Sequence, residues 1–220
     1  MRKIVLILVL VIITTLAYSQ KQLIGVNGGI VFSNISTDFD LYKDKTYKTD
    51  WSANLNYERF LSKNFSIEIG ISYIKKGFTD YFVWTNENGD ELRTDEYNNS
   101  YEYLSIPIGT KYTIGNKLKG IGIIGISPAY LIKGTIISPD YIEIYNHKKD
   151  ITKYPNRFDL NAFIGVGISY KILKQFELNL NGTFNHSLIS MTKKDYFENN
   201  KIYNYFYNVN IGLKYYLKNE

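Results

Sequence analysis

The sequence predicts an all-β protein, an eight-stranded antiparallel up-and-down transmembrane β-barrel. Three observations predict it. Apolar and polar residues alternate strictly over several long stretches, the links between those stretches are short and long in turn, and aromatic residues bracket aliphatic ones along the apolar faces.

The first residues are a separate matter from the barrel. Arg2 and Lys3 precede a continuous apolar run from Ile4 to Leu16, followed by the small residues Ala17 and Ser19 around Tyr18. This is the pattern of a secretory signal peptide cut after Ser19. The run falls short of the roughly 18 or more apolar residues that a spanning helix needs. The expected organisation is a signal peptide over 1–19 and one outer-membrane barrel domain over 20–220.

Composition favours strands, with 21 Tyr, 12 Phe, 16 Gly and only four Pro in 220 residues. The formal charge is +5, and removing Arg2 and Lys3 leaves the chain mildly basic with its charges interspersed, so nucleic acid is not an expected partner. The absence of cysteine excludes lipidation at an N-terminal cysteine, disulfides, thiolate metal sites and cysteine nucleophiles together. No cofactor and no metal site is expected.

In chain order, the first strand is Leu23 to Phe32, and the second, Trp51 to Arg59, sets Trp51, Ala53, Leu55 and Tyr57 against Ser52, Asn54, Asn56 and Glu58. The third, Phe65 to Tyr73, sets Phe65, Ile67, Ile69, Ile71 and Tyr73 against Ser66, Glu68, Gly70 and Ser72. Tyr103 to Ile114 and Gly120 to Ile132 follow, each containing a proline that removes a ladder donor, Pro107 and Pro128. They remain strands because their flanks alternate. Phe158 to Tyr170, Phe176 to Asn185 and Tyr205 to Leu217 complete the set. Links near 60–64, 115–119 and 172–174 are short; those at 33–50, 77–102, 133–156 and 186–204 are long. An antiparallel meander of even strand number puts the short turns and both termini at one end, the periplasmic end of an outer-membrane barrel.

Alternation does not say which face points inward, and a soluble barrel would carry its apolar face in the lumen. Here the polar face is Asn, Ser, Gly and Thr with few charges, which suits a cramped lumen better than a water-facing surface. The aromatic girdle is Trp51, Tyr73, Phe158, Phe184 and Tyr205 at the long-loop end, and Tyr57, Phe65, Tyr112, Tyr170, Phe176 and Tyr215 at the short-turn end. Each strand supplies the about 9 to 11 residues that a tilted crossing takes. Outer-membrane lipid is therefore the expected surrounding.

Charges on the inward face are few and sit near the short turns: Glu58, Glu68, Lys111, Glu177 and Lys214. Neighbouring strands would pair Glu68 with Lys111 and Glu177 with Lys214, leaving Glu58 for Arg59, another base or water. The reading is a structural layer closing the barrel, because unpaired buried charge is very costly; a proton or ion relay is the alternative. His186, Ser187 and Asp195 suggest a rim enzyme on lipid or peptide, but neighbours on a strand point to opposite faces. His147 is the other histidine. A non-enzyme is expected.

The segment TNENGDEL (Thr85 to Leu92) reads as a type I′ hairpin at Asn88 and Gly89 that extends the barrel above the membrane. Its surroundings are acidic, with Asp80, Glu87, Asp90, Glu91, Asp95, Glu96 and Glu102 against Arg93. Tyr81, Phe82, Trp84, Tyr97 and other loop aromatics give contact area for a partner or pack the loops on one another.

Together GVNGGIVFSNIS (Gly25 to Ser36), SYIKKGF (Ser72 to Phe78), YEYLSIPIGTKY (Tyr101 to Tyr112), GISPAYLIKG (Gly125 to Gly134) and the closing NVNIGLKYYL resemble the PorT-like outer-membrane β-barrel family of Bacteroidota. The resemblance spans nearly the whole chain after residue 19 through loose motifs. It implies a barrel in the cell outer membrane and, in one branch, a role in assembling a secretion system for surface proteins; it supplies no catalytic residues. The last stretch also resembles the outer-membrane assembly signal, carried by Asn210, Gly212, Tyr215 and Leu217, which implies the barrel-assembly machinery as a partner. Lys218 to Glu220 run past the usual terminal hydrophobe. The expected role is surface interaction or assembly through the long loops, with an unknown extracellular or secretion-system protein; a small ligand transporter is a further alternative.

Overall fold

The computed structural model describes residues 21–37, 45–139, 148–193 and 200–217. The expected signal peptide, His147 and Asp195 lie outside them. The described residues form ten antiparallel strands: β1 (Gln22–Thr37), β2 (Thr46–Phe60), β3 (Phe65–Thr85), β4 (Glu91–Ser105), β5 (Ile108–Gly115), β6 (Leu118–Ile137), β7 (Lys148–Asp150), β8 (Phe158–Lys171), β9 (Phe176–Ser187) and β10 (Ile202–Leu217).

Their pairing closes on itself. β1 is bonded to β2 on one side and to β10 on the other, and the ring continues through β3, β4 with β5, β6, β8 and β9. β4 and β5 lie end to end between the same neighbours and form one stave, while β7 is a short outrigger on β6. The wall therefore has eight staves, and closure leaves no sheet edge inside the membrane.

Pro107 separates β4 from β5 without changing register on either side. Gly70 N–H still donates to Pro107 O (2.9 Å), and Ile106 N–H to Pro128 O (2.9 Å). Each proline thus removes one donor and keeps its acceptor, which is why both are tolerated inside the wall.

The exposure pattern settles which face is inside. Val26 (62%), Leu55 (52%), Ile71 (57%), Val166 (72%) and Ile211 (57%) are exposed on the outer face, whereas Asn27, Ser52, Asn56, Ser66 and Asn179 are buried. A face this apolar and continuous is matched to hydrocarbon. The girdle residues lie on the same outer face and meet across strands: Trp51 with Tyr73 (4.9 Å between ring centroids), Phe65 with Tyr112 (4.9 Å), Phe176 with Tyr215 (5.3 Å) and Phe184 with Tyr207 (5.2 Å).

The strands run further than the alternation indicates at the long-loop end. β3 has 21 residues, about twice a membrane crossing, so the stretch expected as a long link is mostly a β-hairpin. Its turn also differs from the expected two-residue type. Gly89 N–H bonds to Asn86 O (3.0 Å) and Asn86 N–H to Asp90 O (2.9 Å), with Gly89 at φ +86°. This is a three-residue loop closed by a left-handed glycine. The Asn86 side chain accepts from the amides of Asn88 (3.0 Å) and Asp90 (2.9 Å), and these bonds fix the three-residue loop.

Candidate functional site

The lumen is built in layers, each dictated by what the inward half of the strands supplies. Nearest the short turns, β2 and β3 place Glu58 directly opposite Glu68. Two like charges at that distance need two cations, and both lysines converge on them. Lys214 Nζ lies 2.5 Å from Glu58 Oε2 and 3.2 Å from Glu68 Oε2; Lys111 Nζ lies 3.2 Å from Glu58 and also binds Glu68. Ser66 Oγ donates to Glu58 Oε1 (2.6 Å). The four charges cancel, which is the condition for holding them away from water.

The fifth residue of the expected layer is elsewhere. Glu177 faces Lys214 across β9 and β10 but bonds Lys119 and accepts from Tyr216 OH (2.5 Å). The expected Glu177–Lys214 pair is thus replaced, and Glu58 takes Lys111 and Lys214. In a narrow lumen a lysine stem reaches across the interior as easily as to the next strand, so adjacency along the wall does not choose the partner. Lys119 falls in the stretch read from sequence as the short link 115–119, whereas β6 begins at Leu118 and already points Lys119 inward.

Above this, amides span the lumen. Asn179 Nδ2 donates to Asn27 Oδ1 (2.8 Å), Asn27 Nδ2 to Asn56 Oδ1 (3.1 Å), and Asn56 Nδ2 to Glu68 Oε2 (2.5 Å), a chain linking four staves. Asn210, from the expected assembly signal, accepts from Ser52 Oγ (3.1 Å). Gly212 lies where a Cβ would come 1.9 Å from Asn27 Oδ1, so the amide chain needs glycine there. Tyr215 is on the outer face and Leu217 ends β10. The space left is a cavity of about 90 Å³.

A second ion pair sits higher. Lys76 Nζ is 2.8 Å from Asp159 Oδ2 and lies over the rings of Tyr103 (4.5 Å) and Phe206 (5.0 Å). Asp159 also accepts from Ser187 Oγ (3.0 Å) and Asn161 Nδ2 (3.3 Å). Over it Ile35, Phe78, Tyr101, Leu131, Met191 and Ile202 form an apolar plug, with Ile151 against it. Met191 is held by its N–H to Ile202 O (2.8 Å) and by Asn156 N–H to its carbonyl (2.8 Å). Lys75 and Lys76 are adjacent in sequence, and only the second is buried; nothing local distinguishes them.

At the rim, Ser187 points into the lumen while His186 lies outside, its ring 6.2 Å from that of Tyr203. The two side chains are on opposite faces and do not form a dyad. The most prominent external feature is the β3–β4 hairpin, on which Phe82, Val83, Trp84 and Leu92 are exposed. Trp84 Nε1 donates to Asp95 Oδ2 (2.8 Å), Arg93 Nε pairs with Asp95 Oδ1 (2.8 Å), and Phe82 packs edge-on to Trp84 (4.9 Å).

No curated protein matches this sequence. Solved structures do. A major outer membrane protein from Thermus thermophilus is 9% identical with a TM-score of 0.55, over 91% of this chain and 100% of that one. OprG from Pseudomonas aeruginosa is 11% identical with a TM-score of 0.49, over 90% and 97%. The outer membrane protease OmpT from Escherichia coli is 11% identical with a TM-score of 0.48, over 92% and 100%. At such identities the likeness is one of fold. The family described as "Outer membrane protein beta-barrel domain" matches residues 18–193, most of the chain. With a closed wall, a lipid-matched outer face and that match, the chain belongs to the outer membrane protein β-barrel domain family and is an outer-membrane protein.

Proposed function

We propose that the protein is a non-enzymatic surface or assembly component, of the PorT-like branch of its family, that engages another protein through its long-loop end. The observation carrying this reading is the β3–β4 hairpin. It projects beyond the span a crossing needs, presents Phe82, Val83, Trp84 and Leu92 to the outside, and is stiffened by the Trp84–Asp95–Arg93 contacts. Rigid aromatic area on an acidic background fits a protein partner with a basic rim around an apolar centre. The layered lumen argues against a solute path, since its cavity of about 90 Å³ lies between an ion cluster and an apolar plug. The separation of His186 from Ser187 argues against a rim hydrolase. The signal peptide over 1–19 belongs to the same proposal, as the route of export.

A photocrosslinker at Leu92, which is 67% exposed, tests it in intact cells. A discrete protein adduct, absent when the crosslinker is moved to Ile211 on the lipid face, is the expected result. Adducts with lipid alone would overturn the reading.

A further inference from the structure

The short-turn end carries a feature that the loop-based reading does not use. The three short turns and the outer ends of β1 and β10 enclose a cup of about 640 Å³. Lys21, Lys63, Lys119, Lys171 and Lys174 line it, with Phe60 and Tyr216 among them. Among the described residues, Glu177 neutralises Lys119. Among the described residues, Lys21, Lys63, Lys171 and Lys174 have no carboxylate within ion-pair distance. Of the described glutamates of this end, Glu58 and Glu68 are spent on Lys111 and Lys214 deeper in the lumen, and Glu177 on Lys119. The turns themselves contain no acidic residue. Cation–π contact with Tyr216 holds Lys171 at the mouth (5.1 Å to the ring centroid).

A concave surface lined by one sign of charge concentrates ligands of the other sign. We propose that this cup is a binding site for an acidic polypeptide segment presented from the periplasm, with its carboxylates seated on Lys63, Lys171 and Lys174. Three features select that ligand. The cup falls in the range of roughly 300–1,000 Å³ typical of ligand sites, far more than one inorganic anion fills. Phe60 and the Tyr216 ring supply apolar surface between the ammonium groups, as side chains of a peptide require. The opening is bounded by all three turns, so it faces along the barrel axis, while the lipid side of the same turns shows exposed Leu118, Ile172 and Leu173. The lysines thus face water and a periplasmic partner, and the leucines and isoleucine face the bilayer. Reading this end as periplasmic follows from the outer-membrane layout of short turns.

The test uses the full chain refolded in nanodiscs of phosphatidylcholine and titrated calorimetrically with a hexaglutamate peptide. Saturable binding is expected, weakening by about tenfold or more as salt rises from about 50 to about 300 mM. Hexalysine should not bind at this end. The double charge reversal K63E/K174E, at exposed turn positions that leave the wall intact, should lower affinity by at least about tenfold by the same electrostatics. K148E, at the opposite end, should leave it unchanged. Absence of saturable binding, or equal loss in K148E, would overturn the proposal. So would loss of peptide binding when phosphatidylglycerol replaces phosphatidylcholine, since the lysines would then serve net anionic lipid headgroups.

Discussion

The two ends of the lumen are closed by opposite chemistry. At the short-turn end the plug is ionic, with Glu58 and Glu68 locked between Lys111 and Lys214. At the long-loop end it is apolar, with Phe78, Leu131, Met191 and Ile202 packed over the Lys76–Asp159 pair. The outside changes in step. Along β3 the outward residues are Ile67, Ile69, Ile71 and Tyr73, and then Lys75, whose Nζ is 3.2 Å from Asp50 Oδ1. Within the membrane the wall is oily outside and polar inside; just above it, around Lys75 and Phe78, charge is outside and oily side chains are inside, as in a soluble domain. The period of two is broken only at bulges, such as that between Tyr47 and Ser52 and that at Glu102 and Tyr103; what changes between the two stretches is the solvent. The polarity of the interior is thus set by what surrounds each stretch of wall.

Four measurements bear on this contrast, in decreasing order of expected effect. Replacing Lys214 with Met leaves two carboxylates to Lys111 alone and should cost about 3–5 kcal/mol, the range for breaking a buried ionic set. Reversible guanidinium unfolding in phospholipid vesicles would read it, and near-native stability would mean that water reaches the cluster. Leu131→Ala, in the apolar plug, should cost about 3 kcal/mol by the same assay. A negligible change would show that the upper end is loosely packed. Phe206→Leu removes one of the two rings beside Lys76 and should cost about 1 kcal/mol; coupling to Lys76→Met in a double-mutant cycle separates the ring–cation term from packing.

The smallest effect concerns β7, outside the membrane. Hydrogen bonds from the Thr152 hydroxyl and amide hold the Asp150 carboxyl below the ordinary aspartate range. A lowered folded-state value contributes stability above the unfolded pKa that is lost as pH falls through the folded one. Exchange protection of the Thr152 amide should therefore persist at neutral pH and fall only in acid below the usual aspartate value. Asp150→Asn should make it independent of pH.

The transmembrane part of the fold is legible in the residues because lipid imposes one rule on every stave. Trp51 to Glu58 and Phe65 to Tyr73 display it without exception. The upper wall is harder to read, since the rule inverts there and Lys75, Lys76 and Gly77 carry no local sign of their new roles. Ion partners are hidden for a different reason. Register fixes which residues are adjacent along the wall, yet Lys214 passes over its neighbour Glu177 to reach Glu58 on the far side of β1. Pairing inside a tube is a property of three dimensions, and Lys119, read as the end of a short link, belongs to the wall because β6 starts at Leu118. The turn at Gly89 shows a third limit. The Asn-Gly dipeptide announces a hairpin, but the Asn86 side chain decides its length.

β1 and β10 are zipped together in unbroken register from Gln22↔Leu217 to Thr37↔Ile202. The first stave to emerge during synthesis thus waits for the last one before it has both neighbours. Until residue 202 and beyond are available, any partial sheet carries two raw borders that invite pairing with other chains. Such a polypeptide has to travel unrolled and be kept apart from its copies, and a version truncated before its final strand should accumulate as aggregate instead of as a smaller cylinder.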